Sequence, residues 1–253
     1  DAEARAAIAA APRLLLARET KLDEAASKLE ALGVEGGRLR RVVAKAPMSL
    51  QLGRQSLDSR LAFFTSLGFD AAAAAASIVR APRLLHTPLP ELQARYDWLL
   101  AEGVATAENA PAWLARLPDY WGLPTERVVR RLAWLADECA VGHSSAAAMV
   151  AAEPGILVQS VDQLELRCEL WDKVLGGSAD ELATVPQLFT CDLGRVVMLR
   201  YAYLLANGIT DVHPTQLLVP DTATFCMEVA GCTEAELRAF EDDGTHLTIF
   251  GAI

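Results

Sequence analysis

Positive charge is the first thing this chain lacks. Its 253 residues carry 23 Lys and Arg against 33 Asp and Glu, a formal net charge of −10. A protein that coats nucleic acid along its whole length gains affinity by neutralising phosphates with Lys and Arg, so this balance argues against simple DNA binding. Histidine is scarce as well: the four present, His86, His143, His213 and His246, are scattered along the chain and offer no convergent catalytic group. There is no P-loop, no G-x-G-x-x-G, no H-E-x-x-H and no G-x-S-x-G. The expectation is therefore no enzymatic activity, no catalytic residue, no cofactor, no bound metal and no small-molecule substrate.

Five cysteines, Cys139, Cys168, Cys191, Cys226 and Cys232, form neither a C-x-x-C pair nor a close-set framework. That pattern suits free thiols in a reducing compartment. Cys139 and His143 lie four apart, too few ligands for a zinc site, and read as a buried thiol and a loop histidine. No apolar run approaches the ~20 residues a bilayer span needs, so the chain is expected not to span a membrane. It starts at Asp1, which fits removal of a targeting peptide.

What the chain does have is periodic proline. Pro12, Pro47, Pro82, Pro118, Pro154, Pro186 and Pro220 fall 35, 35, 36, 36, 32 and 34 residues apart. Three, ten and seventeen residues after the first six stand Leu15, Leu22, Leu29; Leu50, Leu57, Phe64; Leu85, Leu92, Leu99; Trp121, Val128, Leu135; Leu157, Leu164, Trp171; and Phe189, Val196, Tyr203. After Pro220 the same offsets give Ala223, Ala230 and Leu237, which reads as a partial terminal unit.

The third unit shows the plan. Pro82 opens a short turn of 3₁₀ type, Thr87 and Pro88 start a helix with Leu92, Tyr96 and Leu99 on one face, and Gly103 ends it. A second helix starts between Thr106 and Pro111 and stops at Pro118. Ser56 and Asp70 in the second unit, and the capping boxes Ser178 with Glu181 and Thr233 with Glu236, are further helix starts. Proline ends each second helix, because the residue before it resists helical geometry. The predicted fold is all-α: an α-solenoid of about six to seven two-helix units of ~35 residues, forming one domain over residues 1–253.

Segments such as "PRLLHTPLPELQARYDWLLAEG" and "PMSLQLGRQSLDSRLAFFTSLGF" resemble the repeat motif of the mitochondrial transcription termination factor family. Tetratricopeptide and pentatricopeptide repeats share the period but not a proline that opens a heptad of large apolar residues. The resemblance implies stacked units of two α-helices and a 3₁₀ turn, residence in mitochondria or chloroplasts, and nucleic-acid binding through a basic surface without catalytic residues.

The charge is unevenly spread: residues 1–80 hold 12 basic and 9 acidic side chains, a net +3, and residues 81–253 hold 11 and 24, a net −13. Any phosphate contact is thus expected early. Arg38, Arg40, Arg41 and Lys45, followed by Arg54 and Arg60, form the candidate nucleic-acid set, with a solvated basic face as the alternative. Arg60, Arg95, Arg131 and Arg167 each stand thirteen residues after a proline, on the same stripe as the apolar positions. That phase suits a stem laid on the inter-repeat core, with the head on a carboxylate or carbonyl of the adjoining unit. Glu234, Glu236, Glu241, Asp242 and Asp243 are the candidate surface for a basic protein partner, or else a solvated cap. The ending, residues 246–253, is apolar and is expected to fold back or dock.

Resemblance and charge together predict a scaffold of a large organellar ribonucleoprotein, foremost the mitochondrial ribosome. RNA would contact the basic N-terminal third and other proteins the remainder, in the mitochondrial matrix or alternatively the chloroplast. A regulator of transcription termination or RNA processing is the alternative. A scaffold of a membrane-associated complex without nucleic acid is a third.

Overall fold

A computed structural model describes Arg5, Ala9 and residues 12–16, 18–31, 34–51 and 54–244, although some side chains within these spans, Arg54 among them, are outside the description. The apolar ending at 246–253 lies outside the described residues. Every regular element among the described residues is helical. In chain order the α-helices are α1 (Glu19–Ala31), α2 (Gly37–Lys45), α3 (Arg54–Ser66), α4 (Ala71–Arg80), α5 (Leu89–Ala101), α6 (Ala110–Arg116) and α7 (Thr125–Glu138). They continue with α8 (His143–Ala152), α9 (Val161–Glu169), α10 (Ala179–Leu182), α11 (Leu199–Ala206), α12 (Thr215–Leu218), α13 (Thr222–Thr224) and α14 (Glu234–Asp242).

Each of the first six prolines opens a 3₁₀ turn: Pro12–Leu16, Pro47–Gln51, Pro82–Leu85, Pro118–Gly122, Pro154–Val158 and Pro186–Phe189. The residue before the proline is pushed out of helical geometry as its ring demands. Ala81, Leu117 and Glu153 have φ of −124°, −126° and −124° with ψ of 72°, 70° and 80°. Their N–H groups still close the preceding helix, Ala81 onto Ser77 O at 2.9 Å and Glu153 onto Met149 O at 2.8 Å, while their carbonyls accept from the third residue of the new turn. One residue thus ends a helix and starts a turn without leaving its own amide or carbonyl unbonded.

The heptad positions carry the core. Leu57, Phe64, Leu85, Leu92, Leu99, Trp121, Val128, Leu135, Leu157, Leu164, Trp171 and Phe189 are all buried. Leu15 is 69% exposed, since no earlier unit among the described residues packs on its turn. Helix starts follow the expected caps at Asp70, whose carboxylate accepts from Ala73 N at 2.7 Å, and at the boxes Ser178/Glu181 and Thr233/Glu236. Thr87 is not a cap: Pro88 occupies that position, and the Thr87 hydroxyl donates to Arg83 O at 3.2 Å. Helix α3 begins at Arg54, two residues ahead of Ser56.

Two of the four arginines on the apolar stripe, Arg60 and Arg167, bind carbonyls left open at the end of the next turn, whereas Arg95 pairs with Glu91 on its own helix instead of reaching the adjoining unit. Arg60 Nη1 donates to Leu84 O and Thr87 O, both at 2.7 Å, and Arg167 Nη1 to Leu188 O and to Cys191 O at 3.0 Å. Arg200 Nη1 does the same with Leu217 O at 2.7 Å and Pro220 O at 2.9 Å. This corrects the placement of Arg60 among the phosphate candidates: the residue is 8% exposed and its guanidinium is held inside by two carbonyls.

Arg200 stands fourteen residues after Pro186, not thirteen. The extra residue is absorbed by a π turn, Leu193–Met198, at the head of α11. Its effect is to bury Val197 and Leu204 in place of the expected Val196 and Tyr203. The carbonyls that Arg200 selects are three apart, like those of Arg60 and Arg167, and they set the seventh turn at Thr215. Leu217 N donates to Pro214 O at 3.1 Å, as Leu84 N does to Ala81 O at 3.0 Å. Leu218 and Phe225, three and ten residues after Thr215, are buried. The unit is therefore neither partial nor opened by Pro220. It has a first helix formed by α13 and the π turn Phe225–Ala230, and a second helix, α14.

By internal contacts the chain divides into two compact units, residues 1–129 and 130–253. In the first, Leu29, Val34, Val42, Leu57, Ile78 and Leu85 form one buried cluster. Phe64 packs edge-on against Phe69 at 5.4 Å and Trp121 at 5.8 Å. In the second, the Trp171 indole donates to Ser178 O at 2.8 Å and lies where a Cβ on Gly177 would fall, 2.2 Å from Cε2. Cys139 and Cys168 are joined in a disulfide, with Cα atoms 6.4 Å apart, which corrects the expectation of a free thiol at Cys139. Cys191, Cys226 and Cys232 are free.

Candidate nucleic-acid interface

Helix α2 starts after Gly36, whose φ of +53° turns the chain into it. Val42 is buried and Leu39 half-buried against the core of the first unit, and α2 packs against α4 and the Pro82 turn. With that face inward, Arg38, Arg40, Arg41 and Lys45 are all exposed. The arrangement works against the helix that bears it. Arg38 sits in the first turn, where the helix dipole disfavours positive charge. Arg38 and Arg41, then Arg41 and Lys45, are like-charged neighbours three and four apart, each pair costing a few tenths of a kcal/mol. Only Lys45, in the last turn, is favoured by the dipole. Fold stability therefore does not account for this cluster.

Of the six candidates, four are brought together on α2, Arg60 is withdrawn into the core, and the Arg54 side chain lies outside the described part. Two cations that the sequence reading passed over complete the surface. Arg80, at the end of α4, and Arg83, in the Pro82 turn, line one cavity with Lys45. Lys45 and Arg80 each stand two residues before a unit's proline, a shared offset that is the signal that could have found Arg80; Arg83, one residue after Pro82, does not share it.

The acidic candidates are partly engaged within the fold. Glu236 accepts from Thr233 N at 2.8 Å, which holds its carboxyl below the ordinary carboxylate range. Glu241 pairs with Arg195 at 2.9 Å. Glu234, Asp242 and Asp243 are exposed. Among the described residues there is no cluster of three or more His, Cys, Asp or Glu placed to hold a metal, and no single helix long and apolar enough to cross a membrane.

Proline-started helix pairs with a basic face on α2 define a helical-repeat protein of the α-solenoid class. The mTERF family model matches residues 2–225, and the chain belongs to that family. No curated protein matches the sequence. The family consists of helical-repeat proteins that bind nucleic acid, are generally non-enzymatic and are typically organellar.

Proposed function

We propose that this chain is a non-enzymatic RNA-binding scaffold of a large organellar ribonucleoprotein, the mitochondrial ribosome in the matrix being the assembly that best suits its family and charge. The observation that carries the reading is the exposed four-cation face of α2 in a chain whose residues 130–253 hold 7 basic and 18 acidic side chains, a net −11. Such a field concentrates phosphate contact in the first unit and leaves the second to basic protein surfaces. Duplex DNA regulation is the second reading, favoured by family membership and opposed by the net charge.

The experiment is sedimentation of organelle lysate with and without ribonuclease, joined to binding of purified protein to single-stranded RNA and duplex DNA across salt. A scaffold travels with a large particle that ribonuclease disperses. Its RNA affinity falls as salt rises, and Arg38→Glu with Arg40→Glu and Arg41→Glu abolishes it. Tight duplex binding by protein found free of any particle favours the regulator instead.

A further inference from the structure

The first unit contains a second basic feature, separate from the outward face of α2. A cavity of about 360 Å³ opens between consecutive proline turns, lined by Lys45 from the end of α2, Arg80 from the end of α4, Arg83 from the Pro82 turn, and Asp119 and Trp121 from the Pro118 turn. Three cations face one carboxylate. Helix-end cations are common because they complement the dipole, and that alone would account for Lys45 and Arg80. It does not account for Arg83, which lies in a turn.

Two further features belong to the cleft. Trp121 is 1% exposed and lines the cavity, and its Nε1–H is buried without an acceptor, an arrangement that costs about 1–3 kcal/mol. Arg80 Nη1 donates to Ala115 O at 2.9 Å, exactly one unit further along in the chain's own period, so its guanidinium is anchored at the rim. Two cavities of the second unit lack this excess of cations, the first being net negative and the second balanced. One of about 350 Å³ is lined by Glu138, Glu169 and Asp172 with Lys173, and one of about 400 Å³ sets Arg195, Arg200 and Arg238 against Glu234, Glu241 and Asp242.

We infer that the Lys45–Arg80–Arg83 cleft is a phosphate subsite that seats one backbone phosphodiester of the bound nucleic-acid strand. The inference rests on the RNA-binding reading and extends it: the strand leaves the open face of α2 through Lys45, which belongs to both surfaces, and enters a concave site where a phosphate meets two guanidinium groups and an ammonium. A groove of this kind fixes the register of a strand without reading its sequence.

The test compares Arg83→Glu, Arg83→Gln and Lys45→Gln with Arg38→Glu in the whole chain, using a labelled single-stranded RNA of mixed sequence, the DNA of the same sequence, and inorganic phosphate as competitor. Arg80 is left intact because its bond to Ala115 is part of the fold, and melting curves confirm that each exposed-site variant remains folded. The expected result is about tenfold weaker binding for Arg83→Gln and a fall of about 1 in the slope of log affinity against log salt. Arg83→Lys retains most of the slope. RNA bound with an unchanged slope by Arg83→Glu and Arg83→Gln, while Arg38→Glu weakens it, overturns the cleft and leaves the RNA-binding reading standing. Wild-type protein that binds neither strand overturns both. Competition by inorganic phosphate that is lost in Arg83→Gln supports the cleft whether the strand is RNA or DNA.

Discussion

The two compact units are built from one repeat but differ in what surrounds it. Residues 1–129 hold 16 basic and 15 acidic side chains, a net +1, against the −11 of residues 130–253. The second helices differ as well: α4 has 10 residues and α6 has 7, whereas after α8, with 10, the next is α10 with 4. Beyond α11 the seventh turn arrives at Thr215, 29 residues after Pro186, with no second helix between. Each shortening is taken from the second helix, while the turn that opens each unit persists and Arg60, Arg167 and Arg200 bind carbonyls at its end. The more constant part of this repeat is thus the turn at the junction between units, and the second helix is the part that varies most. Among the described residues the second unit also carries what the first lacks: a disulfide and a glycine packed directly on a tryptophan.

That contrast is most sharply broken at two glycines. A Cβ at Gly177 would lie 2.2 to 2.5 Å from three Trp171 ring atoms, whereas one at Gly37, the first residue of α2, meets nothing within 4 Å. Gly177→Ala must displace the indole that donates to Ser178 and is expected to cost about 3–5 kcal/mol, the range seen when a large core aromatic is lost. Gly37→Ala is expected to be neutral or to stabilise by up to about 1 kcal/mol, because alanine favours helix. Equal melting temperatures for the two variants would remove the distinction.

The disulfide gives the next largest effect. Cys139 and Cys168 are 29 residues apart in sequence, and closing a loop of that size is worth about 3.5 kcal/mol in the chain-entropy model. Reduction, or Cys168→Ser, should lower protection from hydrogen exchange in α7 and α9 and leave α3 and α4 unchanged. Loss of protection throughout residues 1–129 would contradict the assignment of the bridge to one unit.

These differences were unequally legible in the sequence. The proline period, the offsets that bury Leu92 and Trp171, and the caps at Asp70, Ser178 and Thr233 are local patterns, and local patterns are written in the chain. The π turn at Leu193–Met198 is a one-residue slip. It was invisible because Val196 and Tyr203 are also apolar and satisfied the expected offsets, although Val197 and Leu204 take the core. Thr215 was overlooked because a threonine stands where the other units have proline, and Pro220 lay close enough to the period to take its place. The disulfide and the Lys45–Arg80–Arg83 cleft join residues 29 to 38 apart, and such pairings exist only once units are stacked. The α2 cluster was legible as charge. That it opposes its own helix dipole became evident only once the helix start was fixed at Gly37.

The arginines test whether the junction is common to both units. Arg60→Met leaves the stem but abandons the carbonyls of Leu84 and Thr87, and Arg200→Met abandons those of Leu217 and Pro220. Both guanidinium groups are desolvated, which pushes their proton affinity down, so each is retained for its hydrogen bonds rather than its field. Each substitution is expected to cost about 2–3 kcal/mol in denaturant unfolding. Arg200 should lie at the upper end, because it also meets Thr222 Oγ1 at 3.3 Å and the Phe225 ring at 4.7 Å. A near-zero cost at Arg60 with a full cost at Arg200 would confine the clamp to the second unit.

The smallest effect is at the caps of the second unit, and it has a sign in pH. Glu181, Asp221 and Glu236 are each held below the ordinary carboxylate range, chiefly by backbone N–H bonds with Ser178, Thr224 and Thr233 respectively. A carboxyl whose folded value is depressed adds stability above its unfolded value and loses it as pH falls through the folded one. For Glu236 the unfolded value is 4.5. Neutralising carboxylates also relieves the self-repulsion of a unit at −11, so the raw acid transition mixes two opposing terms. Comparing wild type with Glu236→Gln separates them, since the repulsion among the remaining carboxylates is common to both and only the wild type titrates at this cap. The gap in melting temperature should hold from pH 7 to about pH 5 and narrow below 4.5 as Glu236 takes up its proton. A gap that is the same at pH 7 and well below 4.5 would leave no share in the cap for the charge of the Glu236 carboxylate.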